Sequence, residues 1–151
     1  MLEELGNAAL VREDHATARR HFESLLERRC IQPIALNNLA WILAHHDPID
    51  LSRALSLSEL AIAEDSTDRL RGTRGVILSK MGRFEEAVDD LRTALNANPS
   101  HARVYHEALS QAYERLGNQE LVLSHRSRAA VARESVAVSY THLTLPTICS
   151  V

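Results

Sequence analysis

DRLRGTRGVILSKMGRFEEAVDDLRTALNANPSH, residues Asp68 to His101, is the stretch that decides the reading of this chain. Phe84, Ala87, Val88, Leu91, Ala94 and Leu95 recur at i, i+3, i+4 and i+7, the stripe of an amphipathic helix. The segment before them, 68–81, reads as a second helix. Gly82 stands between the two, where a left-handed residue would end the first helix. Pro99 follows the second, because a ring without an N–H cannot continue a helix. Gly75 and Ala87 lack bulk where two antiparallel helices would have to approach closely.

The pattern returns on both sides. Ala18 heads RRHFESLLERR with Phe22 and Leu25, and Ala54 heads LSLSELAIAED with Ser58 and Ala61. Further on, Leu109, Tyr113, Gly117 and Ala129 repeat the large and small positions. The equivalent residues Ala18, Ala54, Ala87 and Val122 lie 36, 33 and 35 residues apart. A period of this length signals stacked supersecondary units, each burying its apolar stripe against the next. Helix pairs are expected at 2–12 with 15–28, 34–46 with 50–64, 68–81 with 84–97, and 102–116 with 119–134. Asp14, Asp50 and Asn118 are the expected N-caps.

Gly75, Gly82, Phe84, Ala87, Leu91, Ala94 and Pro99, with Gly117 in the last unit, resemble the signature positions of the tetratricopeptide repeat family. The resemblance implies an all-α fold, a right-handed superhelical stack of about four antiparallel helix hairpins. The units would span 1–32, 33–67, 68–101 and 102–134, the first and last being degraded. It further implies a concave groove lined by the first helix of each hairpin, which takes a peptide or a partner helix.

Composition agrees. Hydrophobic residues form 45% of the 151, aromatics only 4%, and Ala and Leu dominate, a mix that favours helices over strands. The formal charge of −3 lacks the basic excess that nucleic-acid binding requires. Lys80 is the single lysine among 17 basic residues; the arginine bias fits a GC-rich coding sequence as well as it fits bidentate pairing. Cys30 and Cys149 are far apart with no metal spacing, which makes a reducing compartment the default. There is no basic n-region before an apolar run and no stretch near the roughly 20 apolar residues of a membrane span, so a cytoplasmic location is expected.

Residues 135–151, SVAVSYTHLTLPTICSV, break the pattern: the helical period stops and charge disappears. SYTHLTLPT resembles translated adaptor read-through, so the tail is expected to be disordered or foreign to the protein and is set apart from the fold. The first unit lacks the start of its leading helix, so the chain reads as a fragment of something longer.

Mapping through the family pattern puts Asn37, Trp41 and His45 on the groove face of the second unit, four residues apart and so on one side of a helix. Arg69, Gly72, Thr73, Val76 and Lys80 take that face in the third unit, and Val104, Glu107, Gln111 and Arg115 in the fourth. Trp41, the only tryptophan, is either an anchor for a ligand or a core side chain against the next helix. Arg69, Arg71 and Arg74 with Lys80 either recognise an acidic peptide or form a solvated face paired with Asp65 and Asp68. The carboxylate clamp found in some members of the family has only Asn37 here, at positions that otherwise read Trp41, Thr73, Val104 and Ala108. His45, His46 and Asp47 are adjacent at a turn and do not converge as metal ligands would; no phosphate loop or nucleophile motif occurs. No cofactor and no catalysis are expected. The function expected is a protein-binding scaffold, with self-association or a non-catalytic regulatory role within a larger enzyme as alternatives.

Overall fold

A computed structural model of the chain describes residues 1–29, 32–97 and 101–132. These form eight helices and no strand: α1 (Leu2–Val11), α2 (His15–Glu27), α3 (Pro33–His45), α4 (Leu51–Glu64), α5 (Asp68–Lys80), α6 (Phe84–Ala97), α7 (Ala102–Arg115) and α8 (Gln119–Ala132). The fold is an all-α repeat of helix hairpins. Pro99, Cys30, Cys149 and the tail 135–151 lie outside the described residues.

The helices gather into two compact units. The first is Met1–Asp65 and the second begins at Ser66. In the first, α1 pairs with α2, α3 with α4, and α2 packs on α3. In the second, α5 pairs with α6, α7 with α8, and both α5 and α6 pack on α7.

The turns follow from backbone chemistry. Three of the four leading helices end in the same left-handed cap. The N–H of Arg83 donates to the carbonyl of Leu78 at 2.9 Å, and that of Gly82 to Ser79 at 3.1 Å. Asn118 with Tyr113, and Asp14 with Ala9, repeat the longer bond at 2.9 Å. This pairing satisfies carbonyls that a helix end leaves without partners, and it requires a positive φ at the residue just past the helix. Gly82 has φ 80° and Gly117 φ 78°; in the first hairpin Glu13 takes φ 58° instead. Three of the four following helices, α2, α4 and α8, begin on a side-chain cap. Asp14 accepts from the N–H of Thr17 at 3.0 Å, Asp50 from Arg53 at 2.9 Å, and Asn118 from Leu121 at 3.2 Å. All three are the residues that the sequence nominates. The α3–α4 turn differs: α3 ends at an extended His46, and a longer connection returns the chain to Asp50.

Packing explains the small residues. A Cβ at Gly6 would stand 2.6 Å from the Phe22 ring, and one at Gly75 would stand 2.8 Å from Leu91 Cγ and 3.1 Å from its backbone N. The helices of these hairpins therefore approach at a distance only glycine allows. The core of the first unit is Ala9, Ala18, Phe22, Leu36, Leu39, Ile42, Leu43, Ala54 and Ala61; that of the second includes Leu70, Ile77, Ala87, Leu91, Ala94, Leu109 and Val122. Ala18, Ala54, Ala87 and Val122, the residues that set the period, are all buried.

Candidate functional site

In the first unit α3 is apolar on most sides, with Leu36, Leu39, Ala40, Ile42, Leu43 and Ala44 buried. One face is different. Asn37, Trp41 and His45 are half-buried along it. The Trp41 indole and the His45 imidazole stack with ring centroids 3.8 Å apart at 23°. His45 Nδ1 lies 2.9 Å from the Trp41 carbonyl oxygen, which fixes the imidazole and, through the stack, the indole. One helical turn earlier, Asn37 Oδ1 is buried with no hydrogen-bond partner among the described residues. An unpaired buried carbonyl is costly, so an N–H brought to it would be favoured. The neighbouring Asn38 is engaged elsewhere, its amide donating to Asn7 Oδ1 at 3.1 Å across α1 and α3.

The second unit distributes its sequence-nominated residues differently. Thr73 and Val76 are buried, at 5% and 4% exposure, so on α5 they offer a partner little surface. Gly72 is covered too: a Cβ there would collide with the Tyr105 hydroxyl and ring. Tyr105 is buried, and burial pushes its phenol up to about 12 against a smaller opposing effect of Arg69. Lys80 is exposed and Arg69 half-buried. On α7, Val104 is half-buried and the Arg115 guanidinium sits 5.8 Å from the centroid of the Phe84 ring. Glu107, Ser110, Gln111 and Glu114 of α7 line a depression of about 420 Å³ with Arg126, Ala129 and Ala130 of α8. Its charges are largely paired, Glu107 with Arg103 and Glu114 with Arg126, both at 3.0 Å.

The arginine cluster divides. Arg74 grips Asp90 of α6 with both arms, Nε to Oδ2 at 2.6 Å and Nη2 to Oδ1 at 2.8 Å. Arg71 stands between Asp68 at 3.6 Å and Asp90 at 3.5 Å. These two arginines close the α5–α6 seam, and the sequence reading missed Asp90 as their partner. The signal was present: Asp90 is a carboxylate in an apolar stripe, between Ala87 and Leu91.

Among the described residues no three His, Cys, Asp or Glu side chains converge to hold a metal ion. No helix among them is long and apolar enough to cross a membrane. Tetratricopeptide repeat profiles match residues 3–68 and 69–101, in register with the hairpins just described. The chain belongs to the tetratricopeptide repeat family. Its repeats make it a protein–protein interaction scaffold, whose partners are proteins. Solved structures similar to it include a crystal structure of MamA protein at 15% identity, covering 96% of each chain with a TM-score of 0.47. Another is MamA MSR-1 at 19% identity, covering 88% of this chain and 95% of that one with a TM-score of 0.41. A third is MamA AMB-1 at 19% identity, covering 91% and 92% with a TM-score of 0.42.

Proposed function

We propose that the chain is a non-catalytic scaffold that seats a peptide or partner helix on the exposed faces of its leading helices, with Asn37, Trp41 and His45 of α3 as the main contact. Its modules are the four repeats 1–32, 33–67, 68–101 and 102–134, and its location is cytoplasmic. The observation that carries this reading is the Trp41–His45 stack beside the unpaired Asn37 carbonyl. A half-exposed indole held by a hydrogen-bonded imidazole gives contact area at little cost in side-chain entropy. The Asn37 oxygen supplies a directional acceptor for a backbone or side-chain N–H. In the second unit the exposed Lys80 and Gln111 would meet the partner, beside the half-buried Arg69 and the Arg103-paired Glu107, and Thr73 and Val76 contribute only edges.

Peptide panning on the immobilised chain tests the assignment, because Trp41 is its own fluorescent reporter. Selected peptides are expected to shift the Trp41 emission, and Trp41→Ala is expected to weaken them by at least tenfold, the scale of a hot-spot truncation of about 1.4 kcal/mol or more. Peptides that bind Trp41→Ala and Asn37→Ala as tightly as the parent place the contact elsewhere.

Self-association is the second reading. Leu5 and Val11 on α1, and Leu123 and Val131 on α8, are exposed apolar side chains on the first and last helices. Sedimentation over a hundredfold concentration range is expected to show a rising average mass if these faces pair. A constant monomer removes the reading.

A further inference from the structure

The hairpins α5–α6 and α7–α8 share one seam position. Arg71 lies 11 residues before Gly82 and Asp90 eight after it; His106 lies 11 before Gly117 and His125 eight after. In the first case the seam carries an ion pair. In the second, His106 Nδ1 and His125 Nδ1 face one another at 2.8 Å. His125 is buried at 8% exposure, and Tyr113 stacks on it with centroids 5.5 Å apart.

Two imidazole nitrogens at this distance form a hydrogen bond only if one donates and the other accepts. One added proton leaves that arrangement intact; a second makes both nitrogens donors. We propose that α7–α8 is an acid-opened hairpin, held shut near neutral pH by the His106–His125 hydrogen bond and released when both imidazoles carry a proton.

The surroundings oppose protonation. Burial lowers the pKa of His106, with the charge of Arg128 on α8 adding to it. Burial takes His125 down to about 4, with His106, Arg128 and Arg92 of α6 acting in the same direction. On α5, the other helix packed against α7, Arg69 faces Tyr105, the residue preceding His106. The charges acting on the pair are thus cationic. Above pH 6.5 both rings are neutral in the closed and the opened hairpin, and the clasp contributes fully. As pH falls from there towards 4, the opened hairpin takes up protons that the closed one refuses. The opening equilibrium then rises by up to about tenfold per pH unit for each proton gained. The pair titrates as a coupled unit, so the response belongs to both residues together.

Hydrogen exchange on the full chain, read as protection factors from pH 7 to 4.5, tests this within one molecule. In the parent, α7–α8 protection is expected to fall at least tenfold across that range while the ion-paired α5–α6 seam holds. Two variants copy seam chemistry from this chain's other repeats: His106→Arg with His125→Asp, after Arg71 and Asp90, and His106→Leu with His125→Leu, after Leu36 and Leu57, which hold the same helix positions in α3 and α4. Either one that folds is expected to lose the acid response of α7–α8. A parent whose α7–α8 protection is flat in pH, or a folded variant that keeps the parent's acid response, overturns the proposal.

Discussion

Asp90→Ala is expected to destabilise the second unit by about 3 kcal/mol. Asp90 is only 4% exposed and accepts both arms of Arg74 while Arg71 stands 3.5 Å away. Removing it leaves two guanidinium groups facing a closed seam without a counter-charge, and breaking such a buried pair costs about 3–5 kcal/mol. The lower end applies because the side chains of Arg74 and Arg71 keep 25% and 36% of their exposure. Urea denaturation followed by circular dichroism measures the loss. Replacing all three residues by apolar ones is expected to recover most of it, since a well-packed apolar seam matches a buried ion pair in stability. A loss below about 1 kcal/mol for Asp90→Ala would mean that the pair is solvated, as surface pairs are.

Leu91→Ala is expected to cost a similar amount, about 3 kcal/mol, because Leu91 is fully buried and its side chain fills the space that Gly75 leaves. Gly75→Ala alone is expected to cost about 1–2 kcal/mol. Its new methyl meets Leu91 Cγ at 2.8 Å and the Leu91 backbone N at 3.1 Å, so α6 itself must shift. Better helix propensity returns up to about 1 kcal/mol of the overpacking loss. The double variant is the informative one. The added methyl partly fills the hole that the removed leucine leaves, so the combined loss is expected to fall short of the sum by about 1 kcal/mol. Strict additivity in a double-mutant cycle would show that the two residues do not share the seam.

Much of this architecture could be read before any coordinates. Gly82 and Gly117 announce left-handed helix ends, and Asp14, Asp50 and Asn118 announce the starts that follow, because each solves a local backbone problem with a local residue. Glu13 solves the same problem as Gly82, but a glutamate carries no such signal, so only the structure reveals its φ of 58°. The seam was the harder case. Arg71 and Arg74 have near neighbours in Asp65 and Asp68, and their stronger partner, Asp90, is 16 residues beyond Arg74, across the turn. The His106–His125 pair is hidden for the same reason: 19 residues of chain separate two nitrogens 2.8 Å apart. Candidate contact residues were legible as a face but not as a surface. Spacing puts Thr73 on the side of α5 that Val76 shares, yet both are buried, because exposure depends on what the fold lays over a helix.

The unlike seams also bear on how the chain finds its fold. Repeats built on one plan can exchange helices, since α5 could in principle pair with α8 as readily as with α6. Here such an exchange would set Arg71 and Arg74 against His125 and leave Asp90 facing His106 and Leu109. Both mispaired seams would bury charge without its proper counterpart. In the second unit α5 and α7 therefore each match their own successor better than the other's, which favours the native pairing over an exchanged one.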